Sequence, residues 1–193
     1  MRTATYLIDP HSGLVEGVRQ VPSPNFNERP AGTTIDTLVI HGISLPPGQF
    51  GGQAVEQLFT NCLDCRAHPA FAELEGVKVS AHLFVRRDGE VVQFVPLTRR
   101  AWHAGQSQFD GRENCNDFSI GIELEGCDTV GYEPVQYQRL VALTRAIQQC
   151  FPAITPERIV GHCHIAPDRK TDPGPAFAWE YYRRLLAEEA TER

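Results

Sequence analysis

Hydrophobic and polar positions follow two rhythms along this chain. A period of two runs through residues 79–86 (VSAHLFVR), where Val79, Ala81, Leu83 and Val85 share a face. It returns in residues 118–125 (FSIGIELE), where Phe118, Ile120, Ile122 and Leu124 oppose Ser119, Gly121, Glu123 and Glu125. Both segments read as strands with one face on a core. Asp88-Gly89 turns the first into residues 90–95, a hairpin signal. Residues 37–41 (TLVIH) form a short apolar run that reads as a buried strand ending on a histidine, and residues 158–161 read as another, ending before His162.

The second rhythm is helical. Val55, Leu58, Phe59 and Cys62 predict a short helix over 52–61. Tyr137, Leu140, Val141, Thr144 and Ile147 predict a long one over 134–150, stopped by Pro152. Phe177, Tyr181 and Leu185, with Tyr182 and Leu186, recur four apart on a C-terminal helix. The turn-rich DPHSG between residues 3–8 and 14–21 predicts an N-terminal hairpin, residues 22–32 an extended loop, and SLPPGQFGG over 44–52 a rigid loop. The order of elements predicts an α/β fold, a central mixed β-sheet flanked by helices, in one domain over 1–193 with its core at about 21–177.

Composition narrows the class. A chain of 193 residues with 41% hydrophobic and 22% charged residues suits one soluble domain. A net charge of -6 makes nucleic acid a poor partner, and no apolar run approaches the ~20 residues that span a bilayer. Without an export signal at the start, a cytoplasmic location is expected, and nothing demands more than a monomer. The same reasoning leaves the six cysteines as thiols. Cys62 and Cys65, with His68 beyond, invite a structural-zinc or redox reading, but no second close pair completes four ligands.

Candidate chemistry gathers at strand ends beside loops. These are His41, the His162-Cys163-His164 segment, and the KTDPG loop holding Lys170 and Asp172. Two imidazoles and a carboxylate suit an open, catalytic zinc site. Spacing alone leaves ordinary hydrogen-bonded histidines as the alternative, because there is no H-E-x-x-H and seven histidines are present. Glu123 projects from an otherwise apolar strand, either onto a solvated face or into a cleft where it can move a proton. Lys170 is either a surface lysine or an oxyanion stabiliser. In RAWHAG, Trp102 can stack on a sugar and His103 can reach a substrate group, or both pack over the sheet edge. Arg86, Arg87, Arg99, Arg100 and Arg112 are either an acidic-substrate patch or separate surface charges.

Five strings taken together, HGISLPPGQFGG (41–52), VSAHLFVRRDGEVVQFV (79–95), RAWHAG (100–105), CNDFSIGIELEG (115–126) and GHCHIAPDRKTDPGP (161–175), closely resemble the AmpD family. These are cytosolic 1,6-anhydro-N-acetylmuramyl-L-alanine amidases of the type-2 amidase, or peptidoglycan-recognition, fold. The resemblance covers about 21–177. It implies zinc held by His41, His162 and Asp172, with Glu123 as the catalytic glutamate and Lys170 as the oxyanion-stabilising lysine. The implied substrate is a small anhydromuropeptide from cell-wall recycling, cut between the lactyl group and L-alanine, a reaction that also lowers a β-lactamase-inducing signal. Trp102 carries over as sugar-binding, with Lys78, Leu124 and Ala166 as further substrate-binding positions.

The chain departs from the family pattern at three places. Gly42 stands where relatives have Asn after the first zinc histidine, and Lys78 and Asn114 stand where some have Arg. An Arg-to-Lys change loses the bidentate fork, so these departures bear on affinity and substrate breadth. A non-catalytic muropeptide sensor on the same fold is the rival expectation, and retention of all five metal and catalytic positions argues against it.

Overall fold

In the computed structural model, which describes residues 5–188, the chain forms ten strands. They are β1 (Arg19–Gln20), β2 (Phe26–Asn27), β3 (Thr37–Ile43), β4 (Leu83–Val85), β5 (Val91–Gln93), β6 (Arg100–Ala101), β7 (Gln108–Phe109), β8 (Arg112–Glu113), β9 (Ser119–Glu125) and β10 (Ile159–Gly161). Four α-helices accompany them: α1 (Ala54–Phe59), α2 (Pro134–Cys150), α3 (His162–Ile165) and α4 (Trp179–Glu188). Six strands make the central sheet in the order β1-β5-β4-β9-β3-β10, while β2 pairs with β6 and β7 with β8. Only β4 and β5 run antiparallel within the large sheet, so it is mixed.

Alternation along the strands feeds two cores. Leu38 and Ile40 of β3, Leu83 and Val85 of β4, Ile120, Ile122 and Leu124 of β9, and Ile159 of β10 point to one side. There they meet Tyr137, Leu140, Val141 and Ile147 of α2 and Tyr182 of α4. On the other side Val55, Leu58 and Phe59 of α1 pack on Phe84, Val92 and Phe94, while Val39 and Val160 meet Ala104, Cys115, Phe118 and Ile165. The start of α2 is pinned to the sheet by Gln136. Its Nε2 donates to the carbonyls of Val85 (3.2 Å) and Glu125 (3.1 Å), and its Oε1 accepts the Glu133 N–H.

Several elements differ from the sequence reading. The expected N-terminal hairpin is a single antiparallel bridge between Ile8 and Val15, and β1 instead joins β5 in parallel; Thr3 and Ala4 lie outside the described residues. The strand expected over 79–86 is regular only at Leu83–Val85. His82 interrupts it, because its own ring Nδ1 accepts the Gly121 N–H at 3.0 Å. Ala81 therefore faces the α1 core, whereas Leu83 faces α2. The C-terminal helix starts at Trp179, after Phe177, and the one-turn α3 following β10 has no counterpart in the sequence pattern.

Candidate active site

Strand register brings the chemistry together. In the parallel pair β3–β9, His41 lies opposite Glu123, so both side chains leave the same face of the sheet. In the parallel pair β10–β3, Gly161 lies opposite Ile40, which sets His162 beside His41 at the sheet's end. α3 starts at His162, and the chain loops back until the Cys163 N–H donates to the Asp172 carbonyl at 2.9 Å.

The result is a small triangle of donor atoms. His41 Nδ1 is 3.0 Å from His162 Nδ1, and each is 3.2 Å from Asp172 Oδ2. Among the described residues this is the one group of His, Cys, Asp and Glu side chains that converges tightly enough to hold a metal ion. Cys62, Cys65 and His68 do not converge on a common point; the Cys62 and Cys65 thiols face the carbonyls of Thr60 and Leu63. Among the described residues, no further ligand joins that pair.

The triangle fits a cation on its own chemistry. His162 Nε2 lies 3.1 Å from the Ala104 carbonyl, which can only accept, so Nε2 carries the proton and Nδ1 is bare. That bare nitrogen faces the Asp172 carboxylate oxygen, two acceptors with no hydrogen between them. Two imidazole nitrogens and one carboxylate oxygen also form the donor set of an open, catalytic zinc centre.

Glu123 completes the arrangement. Its Oε1 is 3.9 Å from His41 Nδ1, and its buried Oε2 has no hydrogen-bond partner. Burial pushes the Glu123 carboxyl well above the usual carboxylate range, Asp172 pushes it further, and the charge of Lys170 pulls it back. His41 is pushed down to about 4, first by burial, and the neighbouring His162 adds to the effect. Lys170, partly buried, is held through its backbone N–H by the Ala166 carbonyl at 2.9 Å.

The remaining expected positions divide. Trp102 is partly buried and donates its indole N–H to Asn27 Oδ1 at 2.8 Å, and Lys78 is exposed. None of the triangle's polar contacts among the described residues reaches either of them. Ala166 lines a cavity beside α3 together with Ser107, Asn114 and Asp168. Leu124 is a correction: it is fully buried in the core under α2, because β9 alternates and Leu124 points away from Glu123's face. It offers a substrate no surface.

Other expectations are corrected by partners. His103 faces inward, with its rings' nitrogens on His41 and Ser119. Glu125 is buried, accepting the N–H groups of Gly51 and Arg87, so it braces the 44–52 loop. Arg86, Arg87, Arg99, Arg100 and Arg112 each pair with a different carboxylate, Glu56, Glu133, Glu28, Asp117 and Asp36 in turn, two of which are shared with Arg19 and Arg158. They form no patch. The space at Gly42 is taken by Tyr132, whose hydroxyl would lie 2.1 Å from a Cβ there and donates to the Pro173 carbonyl at 2.8 Å. Nothing in the local spacing signals Tyr132, or Asn116, whose Oδ1 holds the N–H groups of His103 and Ala104.

The chain belongs to the N-acetylmuramoyl-L-alanine amidase family, whose sequence model matches residues 31–175. It is 58% identical over 179 residues to the 1,6-anhydro-N-acetylmuramyl-L-alanine amidase AmpD of Escherichia coli (strain K12), across 93% of this chain and 97% of that relative. Its fold matches the crystal structure of a selenomethionine AmpD derivative with a TM-score of 0.90 at 53% identity, covering 93% of this chain and 99% of that one. The Escherichia coli amidase AmiD, solved in complex with anhydro-N-acetylmuramic acid-L-Ala-D-γ-Glu-L-Lys, matches with a TM-score of 0.58 at 29% identity, over 83% of this chain and 65% of that one.

Proposed function

We propose that the protein is a zinc-dependent amidase of cell-wall recycling. It hydrolyses the amide between the lactyl carbonyl of 1,6-anhydro-N-acetylmuramic acid and the L-alanine of the stem peptide. The observation that carries this reading is the donor triangle of His41, His162 and Asp172 beside a buried, unpartnered Glu123 oxygen. The names of the relatives support the choice of substrate.

His41, His162 and Asp172 hold the ion in this reading. When bound, zinc supplies Lewis acidity, lowering the pKa of a water toward about 7 and polarising a carbonyl. Glu123 takes the proton of the attacking water on its carboxylate and returns it to the alanine nitrogen as the C–N bond breaks. Burial raises its pKa, which favours return of the proton to the leaving nitrogen. Lys170 brings an ammonium to the negative charge on the carbonyl oxygen of the tetrahedral intermediate. Trp102 offers its ring face to the sugar, and Lys78 and Ala166 contribute to holding the substrate.

A single domain with its core at about 21–177 carries the reaction, acting as a monomer. A cytoplasmic setting is part of the proposal; no helix among the described residues is long and apolar enough to cross a membrane. The test is mass spectrometry of anhydromuramyl-tripeptide incubated with the protein, with and without a zinc chelator. Release of free tripeptide, abolished by the chelator, is expected. Intact substrate in both tubes, with zinc confirmed in the untreated protein, would overturn the proposal and favour a muropeptide sensor.

A further inference from the structure

We infer that His103 is a positioning residue: through a buried relay running from the Cys115 carbonyl by way of Ser119, it holds His41 in the tautomer whose Nδ1 is bare. The inference rests on the metal reading of the triangle and concerns what prepares one of its ligands.

The direction of each hydrogen bond follows from the one before it. The Cys115 carbonyl can only accept, so the Ser119 hydroxyl donates its one proton there. Ser119 Oγ must then accept at its other contact, 3.2 Å away, where His103 Nε2 carries the proton. A neutral imidazole has one N–H, so His103 Nδ1 is bare and accepts at 2.9 Å from His41 Nε2–H. His41 in turn has no proton left for Nδ1, the atom that faces His162 Nδ1 and Asp172 Oδ2. A carbonyl in the turn just before β9 thus decides which His41 nitrogen is free.

The surroundings hold the relay rigid. Ser119 and His41 are almost completely buried, and the His41 and His103 rings meet edge to face at 5.0 Å and 89°. The backbone under His103 is fixed by Asn116 Oδ1, which accepts the His103 N–H at 3.0 Å and the Ala104 N–H at 2.8 Å. The ring lies on Gly121, where a Cβ would come within 2.5 Å of it. Gly121 is thereby the place on β9 that admits the imidazole, and His103 is buried there. Partners that orient a ligand's other ring nitrogen raise metal affinity by about 10- to 100-fold in general. Here that partner is itself a histidine whose tautomer is set one step further out.

The test combines zinc affinity with direct observation of tautomers. Long-range proton–nitrogen spectra of histidine-labelled protein, zinc-loaded and metal-free, should show His41 and His103 both protonated on Nε2. A proton on Nδ1 of either in the metal-free protein would overturn the relay, with no variant needed. Zinc affinity is then read by competition with a chromophoric chelator. His103→Leu fills the same space without an acceptor and should weaken zinc binding by about 10- to 100-fold. His103→Asn, which restores an acceptor near the Nδ1 position, should recover part of that loss, and Ser119→Ala should give a smaller loss with a mixed His103 tautomer. Equal affinity in His103→Leu and the unaltered protein overturns the inference while leaving the metal site standing. Absence of a zinc equivalent that Asp172→Ala removes would instead mean that the metal reading itself fails, and the inference with it.

Discussion

The two faces of β9 are both buried and built in opposite ways. Ile120, Ile122 and Leu124 on one face lie in a single apolar cluster under α2 and α4. Ser119, Gly121, Glu123 and Glu125 on the other are buried too, but against polar partners: a hydroxyl relay, an imidazole seated on a glycine, an orphaned carboxylate and a loop brace. The first face gains stability from removing apolar surface from water. The second gives some of it up, because a buried carboxylate oxygen without a partner is unfavourable until something binds there. Seven consecutive strand residues therefore serve both the core and the site, and the division follows the pleat.

The sharpest way to break this comparison is at the triangle. Asp172→Ala should lose zinc and amidase turnover together, since it removes one of three ligands; metal analysis showing full occupancy in that variant would remove the ligand assignment. Lys170→Ala should keep its zinc but turn over about 100- to 1,000-fold more slowly, equivalent to about 2.7–4 kcal/mol of lost oxyanion stabilisation. Unimpaired turnover there would exclude Lys170 from the chemistry.

Neighbouring positions on β9 should then respond in opposite senses. Ile122→Ala opens a cavity under α2 and should reduce unfolding stability by about 2–5 kcal/mol while zinc affinity holds. Glu123→Gln keeps the size of the buried, unpartnered carboxyl but cannot carry the proton, so the melting temperature of the metal-free protein should hold while amidase turnover collapses. If both variants lost stability, the contrast between the faces would be wrong.

The smallest effect is one of pH. The buried His82 imidazole is pushed down to about 3 from an ordinary 6.5, first by burial and then by the Arg29 guanidinium. Between those values the unfolded chain binds a proton that the folded one refuses. This contribution is therefore fully present above about pH 6.5 and is lost as pH falls toward 3, by about 1.4 kcal/mol per pH unit. Denaturant unfolding of metal-free protein at about pH 7.5, 6 and 5 should show the slope, and His82→Gln should reduce it. An identical slope in the variant would remove His82 as a source.

Much of this was legible beforehand. The alternation of β9, the helical spacing of α2 and the run ending at His41 are local signals, and the structure contains each of those elements. The proposed ligand positions stood out as histidines at strand ends and an acid in a nearby loop, but spacing could not separate ligands from ordinary histidines. The inward turn of His103, the burial of Glu125 and the Tyr132 phenol filling the space at Gly42 had no local signal. Each depends on a segment far away in the chain.

The sequence by itself determined which residues alternate, where the helices run, which side chains carry ionisable chemistry, and which amidase family the ordered strings resemble. Periodicity and residue type act over a few positions, so they survive without a fold. Only the tertiary structure decided what covers each face of the strand. The parallel register that sets His41 opposite Glu123 and Gly161 opposite Ile40 brings residues more than eighty positions apart into contact. Hydrogen-bond direction, burial and charge then act through those contacts, and they turn a polar stripe into a site.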